Sequence, residues 1–165
     1  MSLTVKITTP IFQTLSDLKE QYGFDELGLA VSGGSDSLAM LYICNDWALE
    51  KKVKLHCVTV DHKLRPGSLK EAQLVAGHCN GLGINHEIVE WKHGKELSGN
   101  LSDLARSARY ELIDKWRKKL SFVLVGHTQN DQIETFFMNL KRGSGIEGLK
   151  GMPISLKRPE GYFIL

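Results

Sequence analysis

A short polar stretch, Ser32–Ser37, constrains the fold of this chain more than any other feature of the sequence. It reads Ser-Gly-Gly-Ser-Asp-Ser and separates two apolar runs, Leu27–Val31 and Leu38–Ile43. This order predicts a buried strand, a tight turn and a helix, because paired glycines allow positive φ and a close approach by a ligand. The amides of the first helical turn and the serine hydroxyls would then face one point, where the helix dipole favours a phosphate group.

The turn also contains a carboxylate, Asp36, which predicts either a Mg²⁺ ligand or an N-terminal helix cap. A Walker A phosphate loop is excluded, because that motif needs a Gly-Lys-Ser/Thr sequence and no lysine occurs between Gly33 and Lys51. The alternative that stays open is a glycine-rich turn that only caps an ordinary helix. The strand pattern before the turn and the helix pattern after it favour the phosphate site.

Strand and helix patterns alternate along the rest of the chain. A first helix is predicted to open at Thr9-Pro10, because proline suits the first helical position. Further strands are predicted at 53–60, 85–91, 122–125 and from Tyr162 onward, and further helices at 70–82, 101–120 and 132–140, followed by a glycine-rich loop at 142–152. The alternation predicts an α/β fold with a doubly wound parallel sheet of five strands and helices on both faces. We expect an N-terminal helix at 1–24, packed on one core domain at 25–165.

Polar residues follow three of the predicted strands at the point where each strand ends. They are the turn Ser32–Ser37, the pair Asp61-His62 and the segment His127–Asp131. The carboxyl ends of parallel strands meet at one edge of a sheet, and ligands bind there where the winding direction reverses. We therefore expect these groups to converge on one rim, which scattered loop residues would not do.

The composition fits one domain of modest charge. The 165 residues are 42% hydrophobic and carry a formal net charge of +2, which supports a real core but is weak evidence for a nucleic-acid partner. Two segments, 106–119 and 141–158, are rich in Lys and Arg, and solvated helix surface is the alternative to an RNA contact there. Cys44, Cys57 and Cys79 lack the spacing of a disulfide framework or of a zinc site.

The ends of the sequence carry two further expectations. Since no signal peptide or long apolar span occurs, we expect a cytoplasmic protein without a membrane partner. A strand-like run begins at Tyr162 and stops at Leu165, which predicts that these residues are a fragment of a longer protein.

Ser32–Ser37 resembles the SGGxDS signature of the PP-loop ATP pyrophosphatases, which cleave ATP between the α and β phosphates and adenylate a substrate. The resemblance implies an adenine nucleotide alpha-hydrolase-like fold. It also implies an ATP site at Ser32, Gly33, Gly34, Ser35, Asp36 and Ser37. The six-residue motif indicates the superfamily and not the member.

Three further segments resemble one branch of that superfamily, the tRNA(Ile)-lysidine synthetases. Val60–Ser68, followed by Glu71-Ala72, resembles the family pattern VDHxLRxxS…EA, and Ala105–Tyr110 resembles ARxxRY. Gly126–Gly145 is similar to GHxxDDQxETxxxxxxRGSG, but Asn130 stands where the family has the first of two aspartates, so this chain lacks that carboxylate. The matches follow the family's order and span most of its N-terminal catalytic domain.

This resemblance implies a reaction and its partners. ATP would adenylate the 2-carbonyl oxygen of the wobble cytidine in an isoleucine tRNA with a CAU anticodon, with release of pyrophosphate. The ε-amine of free lysine would then displace AMP and form lysidine. The expected cofactors are ATP and Mg²⁺, the expected partners are the tRNA and lysine, and a homodimer is left open.

The acidic residues expected at the site are Asp36, Asp131 and Glu134. Asp36 and Asp131 would hold Mg²⁺ and offset charge on the pyrophosphate leaving group. Asp131 and Glu134 lie on one face of a helix start, where they would bind the metal or accept and help deprotonate the lysine ammonium group. The alternative is that they are ordinary carboxylates favoured by the helix dipole.

The remaining site residues are basic groups and nucleotide contacts. Arg106 and Arg109 share a helix face and would contact phosphate or RNA, with a salt bridge to a neighbouring Glu as the alternative. The residues expected to shape or contact the nucleotide pocket are Asp61, His62, Gly126 and His127, the last with a structural hydrogen bond as its alternative.

Two rival functions remain at this point. A different PP-loop enzyme, such as a tRNA thiolase, would commonly need further cysteines for sulfur or an iron–sulfur cluster, and the three cysteines here are poorly spaced for that. A regulatory module that binds ATP without turnover would keep the glycine-rich turn but would not need the acidic pair Asp131 and Glu134.

Overall fold

The computed structural model describes the backbone of residues 3–92, 101–118, 120–126, 155–158 and 161–164. The elements in these ranges are, in chain order, α1 (Leu3–Tyr22), β1 (Glu26–Ala30), α2 (Ser35–Lys51), β2 (Lys54–Asp61), α3 (Ser68–Gly81), β3 (Asn85–Glu90), α4 (Leu101–Arg117), β4 (Phe122–Val125), β5 (Ser155–Arg158) and β6 (Gly161–Ile164). The predicted helix at 132–140 and the predicted loop at 142–152 lie outside the described residues. None of the described helices is both long and apolar enough to cross a membrane.

The described strands form one six-stranded sheet in the order β3-β2-β1-β4-β6-β5. Strands β3, β2, β1, β4 and β6 pair in parallel, and β5 pairs antiparallel with β6 at the edge. The chain moves outward from β1 to β3 and then returns to β4 on the other side of β1, so the winding direction reverses between β1 and β4. The predicted doubly wound sheet with five parallel strands is therefore confirmed, and β5 adds an edge strand that was not predicted.

Two apolar clusters cover the two faces of the sheet. On one face, Leu27 and Leu29 of β1 belong to a cluster with residues of α1, α2 and α3, including Trp47. On the other face, Ile113 of α4 belongs to a cluster with residues of β2 and β4. The side chains of β1 alternate between these faces. An added Cβ at Gly28 would lie 3.2 Å from Trp116 Cζ3, so the missing side chain lets α4 approach the sheet closely.

The start of α1 differs from the prediction. The helix begins at Leu3, so Pro10 lies inside it and not in its first turn. Proline removes one hydrogen bond to the preceding turn and usually kinks or ends a helix, so the local signal at Thr9-Pro10 was read as a start. The C-terminal half is anchored by tertiary contacts instead. Leu15 is buried in the core, and the Trp47 indole donates a hydrogen bond to Ser16 Oγ at 3.0 Å.

The boundary of α4 also differs, whereas β4 begins and ends as predicted at Phe122 and Val125. Helix α4 ends at Arg117 and not at Leu120. The next residue, Lys118, has a φ of 52°, and this left-handed conformation ends the helix. Leu120 is then free to turn into the cluster on the α4 face of the sheet.

Arg117 corrects the interpretation of residues 106–119 as a solvated basic face. Its side chain is 0% exposed. Its Nε donates to the Leu120 carbonyl at 2.9 Å, and its Nη2 donates to the carbonyls of Ser121 at 2.6 Å and Tyr162 at 3.0 Å. Because a buried guanidinium is costly unless it is hydrogen-bonded, these contacts make Arg117 a structural tie between the end of α4, β4 and β6.

Candidate functional site

The glycine-rich turn joins β1 to α2 at the carboxyl edge of the sheet. Gly33 has a φ of +89°, which favours glycine over every residue with a side chain. An added Cβ there would also lie 3.4 Å from Val75 Cγ2 and 3.5 Å from the Glu71 carbonyl oxygen, so the turn packs closely on α3. Gly34 occupies the N-cap of α2 in an extended conformation, and the first amides of the helix follow it.

Hydroxyl groups inside the turn hold its shape. Ser37 is buried, and its Oγ donates to the Gly34 carbonyl at 2.9 Å and accepts a hydrogen bond from the Ser32 amide at 3.3 Å. Ser32 Oγ lies 3.1 Å from Ser37 Oγ. Since Ser37 gives its proton to Gly34, Ser32 is the donor in that pair. Ser37 therefore closes the turn from inside, while Ser32 lines the cavity described below.

Asp36 lies exposed in the first turn of α2, where a carboxylate interacts favourably with the helix dipole. It accepts a hydrogen bond from Ser35 Oγ at 3.3 Å. The N-cap is Gly34 and has no side-chain hydrogen bond, so the alternative that Asp36 is the helix cap is wrong. Its position suits a hard cation that is shared with phosphate oxygens, because Mg²⁺ commonly takes only one or two carboxylates from the protein.

The described residues contain no group of three or more His, Cys, Asp or Glu side chains arranged around a metal. Asp131, the second predicted Mg²⁺ ligand, lies outside the described residues, as do His127 and Glu134. The fit to Mg²⁺ in the described part of the chain therefore depends on Asp36 alone.

A cavity of about 330 Å³ opens beside the turn, between the ends of β1, β2 and β4 and the helices α3 and α4. Its floor is apolar and includes Val31, Val58 and Ile113. Its polar lining comes from Ser32, Thr59, His62, Arg65, Ser68, Glu71 and Arg109. A volume of this size, with an apolar floor and a few polar groups, is typical of small-ligand pockets.

Arg109 is the helix α4 residue that brings positive charge to this cavity. Its Nε is buried and has no hydrogen-bond partner in the described part of the chain, and its Cζ lies 5.4 Å from the centre of the Tyr110 ring. A buried guanidinium N–H without a partner is uncommon, and an anion in the cavity would satisfy it. Arg106 was predicted to share this role but does not line the cavity.

His62 lines the cavity at the end of β2, and its ring meets Trp91 edge-on with 6.0 Å between the ring centres. Burial and the nearby Arg109 charge lower the pKa of His62, against an opposing effect of Asp61. The imidazole is thus held mainly neutral near pH 7. A neutral ring at this position is compatible with an uncharged heterocycle beside it.

Asp61 is 2% exposed and lies behind this rim, outside the cavity lining. Its Oδ1 accepts the Lys63 amide at 2.9 Å, whereas Oδ2 makes no hydrogen bond of good geometry. Burial by itself would raise the pKa of Asp61, but the nearby Ser68 hydroxyl, the Lys63 amide and the charges of Lys63 and His62 hold it below its usual value. Asp61 shapes the loop that presents His62.

Two ion pairs hold the loop that follows β2. The sequence pattern alone assigned no role to the four side chains that form them. Lys63 Nζ contacts Glu90 Oε2 at 2.7 Å, and Arg65 Nη2 contacts Glu71 Oε2 at 2.7 Å. Arg65 and Glu71 both line the cavity. They stand in the VDHxLRxxS…EA segment, so the sequence signal that could have identified them was present.

Gly126, which the sequence predicts as a nucleotide contact, follows β4 and lines the cavity from the far side of β1. An added Cβ would lie 3.6 Å from Met40 Sδ and 3.6 Å from Ser37 Cα. The rim therefore receives groups from the ends of β1, β2 and β4, on both sides of the point where the winding reverses.

All three cysteines of the chain, Cys44, Cys57 and Cys79, are free and buried in the core. None of them lines the cavity. Burial raises the pKa of the Cys44 thiol to about 12, which disfavours the thiolate that metals and clusters need.

This combination of sheet, turn and cavity agrees with a comparison to known families. The sequence profile described as a PP-loop domain matches residues 7–163. The chain belongs to the PP-loop family. The Ser32–Ser37 turn lies within the matched residues.

Three relatives of the chain carry the same name. It is 38% identical over 146 residues to the tRNA(Ile)-lysidine synthase of Wolbachia pipientis wMel, 45% over 128 residues to that of Ruegeria pomeroyi and 42% over 149 residues to that of Brucella anthropi. These matches cover 86%, 76% and 85% of this chain. They cover 33%, 30% and 32% of the relatives, so the chain spans about a third of their length.

Solved structures share the PP-loop fold at lower identity. The U34-tRNA thiolase NcsA from Methanococcus maripaludis, solved with its [4Fe-4S] cluster, superposes with a TM-score of 0.70 at 22% identity and covers 94% of this chain and 59% of its own. The NH3-dependent NAD synthetase from Campylobacter jejuni superposes with a TM-score of 0.57 at 18% identity, over 83% of this chain and 61% of its own. At these identities the likeness concerns the fold alone.

Proposed function

We propose that this PP-loop chain is the nucleotide-activating part of a tRNA(Ile)-lysidine synthase. In the proposed reaction ATP adenylates the wobble cytidine of an isoleucine tRNA with a CAU anticodon, and lysine displaces AMP to form a carbon–nitrogen bond. The observation that carries the proposal is the convergence of Ser32, His62 and Arg109 on one cavity, in a chain 38–45% identical to three proteins of that name. The proposed location of the protein is the cytoplasm, where it would meet its tRNA substrate.

The described residues suggest how ATP would be held. The amides at the start of α2 and the turn from Ser32 to Gly34 would receive phosphate oxygens, because a helix N-terminus supplies oriented N–H donors. The apolar floor of the cavity would take the adenine ring, with neutral His62 at its edge. Arg109 would supply a charge-assisted hydrogen bond to a phosphate group, since its Nε has no hydrogen-bond partner among the described residues.

Mg²⁺ is part of the proposal, with Asp36 and Asp131 as its protein ligands. When bound, the metal would supply positive charge that offsets the phosphates of ATP and the pyrophosphate leaving group. Asp36 is held at the mouth of the turn by α2, so its carboxylate is available for this contact without rearrangement of the helix.

Four further residues complete the proposal at positions that sequence alone assigns. Asp131 and Glu134 would accept the ammonium group of lysine and help to remove its proton, and His127 would contact the nucleotide. Arg106, on the same helix as Arg109 but outside the cavity, would contact RNA phosphate. The homodimer left open by the sequence stays a prediction.

A thiolase function is the nearest enzymatic alternative, because the fold resembles that of a U34-tRNA thiolase. It is disfavoured by the cysteines, all three of which are buried in the core and away from the cavity. A module that binds ATP without turnover has the same turn and cavity, so only turnover separates it from a ligase.

The test is incorporation of labelled lysine into tRNA. The protein is incubated with ATP, Mg²⁺, labelled lysine and an isoleucine tRNA transcript with a CAU anticodon, while AMP and pyrophosphate are quantified. We expect lysine to enter the tRNA in step with release of both products. The matched control is the same transcript with uridine at the wobble position, which should accept no lysine. Tight ATP binding without any product would support the non-catalytic module, and sulfur transfer in place of lysine transfer would support a thiolase.

A further inference from the structure

Thr59 is a polar residue in the middle of the apolar part of β2, and its side chain is only 3% exposed. It also lines the cavity beside the glycine-rich turn. Its hydroxyl donates a hydrogen bond at 2.8 Å to the carbonyl of Val31, the residue that follows β1. The same hydroxyl lies 2.9 Å from Nε2 of His86 on β3. The hydroxyl therefore connects three neighbouring strands at the level of the turn.

The direction of these hydrogen bonds follows from counting protons. A carbonyl oxygen can only accept, so the single proton of the Thr59 hydroxyl is given to Val31. His86 must then be the donor through Nε2–H, and this sets its tautomer. Burial lowers the pKa of His86 against an opposing effect of Glu87, so the ring is mainly neutral near pH 7. The result is a directed relay from His86 to Thr59 to Val31.

This relay acts on the peptide that opens the turn. The paired register of β1 with β2 ends at Ala30 and Val58, and the Val31 amide makes one more hydrogen bond to the Val58 carbonyl at 2.9 Å. The Val31 carbonyl and the Ser32 amide belong to one planar peptide unit. Its carbonyl end is held by Thr59 at 2.8 Å, and its amide end is held by Ser37 Oγ at 3.3 Å.

We propose that Thr59, oriented by His86, is a positioning residue for the phosphate-binding turn. It acts through the Val31–Ser32 peptide, whose orientation decides where Ser32 and the following glycines present their groups to the cavity. A turn whose donors are already oriented loses less conformational freedom when a phosphate binds, so affinity rises without any new contact. The inference rests on the proposed function only in that the turn must bind a phosphate ligand.

The test compares two substitutions of Thr59 that separate the hydroxyl from the shape of the side chain. Thr59→Val keeps the volume and removes the hydroxyl, whereas Thr59→Ser keeps the hydroxyl and removes a methyl group. Binding of ATP, pyrophosphate and adenosine is measured by calorimetry under conditions in which each variant is folded by circular dichroism. We expect Thr59→Val to weaken ATP and pyrophosphate binding about tenfold, in line with loss of a buried hydrogen bond, and Thr59→Ser to stay within about twofold.

Adenosine distinguishes positioning from direct contact. It lacks phosphates, so Thr59→Val should leave its affinity within about twofold of the wild-type value. Equal losses of affinity for adenosine and ATP would mean that Thr59 acts only by lining the cavity. Unchanged pyrophosphate affinity would mean that the turn does not need the Thr59 hydroxyl. Either result overturns the proposal.

His86 supplies a second route to the same conclusion, which holds even if Thr59→Val does not fold. His86→Leu removes the donor to Thr59, whereas His86→Gln keeps an N–H at a similar position. We expect His86→Leu to bind pyrophosphate more weakly than the wild type and His86→Gln to bind it about as tightly as the wild type. Equal pyrophosphate affinities of the two variants would contradict the relay. Pyrophosphate binding does not depend on which substrate is adenylated. The relay can therefore stand if lysine transfer is absent, and it can fail while lysine transfer is present.

Discussion

At the scale of single residues, Arg109 and Arg65 are the two described arginines that line the cavity, and their partners differ. Arg65 is paired with Glu71 at 2.7 Å, whereas Arg109 Nε is buried and meets no hydrogen-bond acceptor among the residues that the structure describes. We predict that Arg109→Gln raises the Kd for ATP by roughly tenfold to a hundredfold, the value expected for one charge-assisted hydrogen bond. The measurement is calorimetric titration with ATP. Lys115→Gln is the matched control, because Lys115 is an exposed cation on the same helix. An equal effect of both variants would mean that the helix acts only through its overall charge.

A second prediction at this scale concerns two glycines with opposite surroundings. Gly33 has a φ of +89° and faces Val75, whereas Gly77 lies inside α3 with no atom within 4 Å of an added Cβ. We expect Gly33→Ala to lower the free energy of unfolding by about 1–3 kcal/mol through backbone strain and to weaken ATP binding. Gly77→Ala should raise it by about 1 kcal/mol, because alanine is the better helix former. Urea denaturation measures both, and a stabilising effect of Gly33→Ala would show that the turn can relax.

At the scale of elements, Arg117 decides how the end of α4 is attached to the sheet. Removing its guanidinium would take away three hydrogen bonds, to the carbonyls of Leu120, Ser121 and Tyr162, although Ser121 would keep another donor, the Tyr162 amide at 2.8 Å. We predict that Arg117→Met lowers the free energy of unfolding by roughly 3 kcal/mol or more. Lys118→Met is the control, because Lys118 is exposed and its contact with Glu87 is 3.9 Å long. Urea denaturation of both variants gives the comparison, and similar losses would place the effect in helix termination instead.

Gly161 belongs to the same tie between α4 and β6. Its φ is +144°, and an added Cβ would clash with the Ser121 carbonyl and lie 2.8 Å from Arg117 Nη2. The close approach of these two backbones is what lets one guanidinium reach both carbonyls. Stacking of Phe122 on Tyr162, with 5.8 Å between the ring centres, reinforces the contact between β4 and β6.

At the scale of the whole molecule, stability should depend on pH through two histidines. Burial lowers the pKa of both His62 and His86 below the ordinary value of 6.5. The unfolded chain therefore takes up these protons at a higher pH than the folded chain does. The contribution of the two neutral histidines to the free energy of unfolding should be complete above pH 6.5. It should decrease as the pH falls from 6.5 toward the lower pKa values of the folded state.

The measurement is urea denaturation between about pH 8 and about pH 5. His86→Gln should flatten the decline, because one of the two titrating groups is gone. The pKa of Asp61 is also lowered, and its contribution is lost only as pH falls below its ordinary value of 3.8, outside this window. A stability that rises as pH falls through this range would contradict the neutral state of both rings.

The sequence by itself determined the order of the elements from α1 to β4, the type of sheet and the location of the glycine-rich turn. These properties depend on residues that are neighbours in the chain, such as the apolar run before Ser32, the two glycines and the helical pattern after them. Local patterns of this kind also predicted β4 at Phe122–Val125 and the start of α4 correctly. The motif residues Arg65 and Glu71 were visible in the sequence, but their ion pair required the fold to bring the loop after β2 onto α3.

Only the tertiary structure decided which of two equivalent side chains reaches the cavity or the core. Arg106 and Arg109 are three positions apart on α4, yet only Arg109 lines the cavity, because the packing of Ile113 on the sheet sets the rotation of the helix. Arg117 looked like part of a basic surface and is buried, since the left-handed Lys118 ends the helix beside the carbonyls that it binds. Thr59 gains its role from Val31 and His86, which are far from it in the chain and adjacent only once the parallel strands pair.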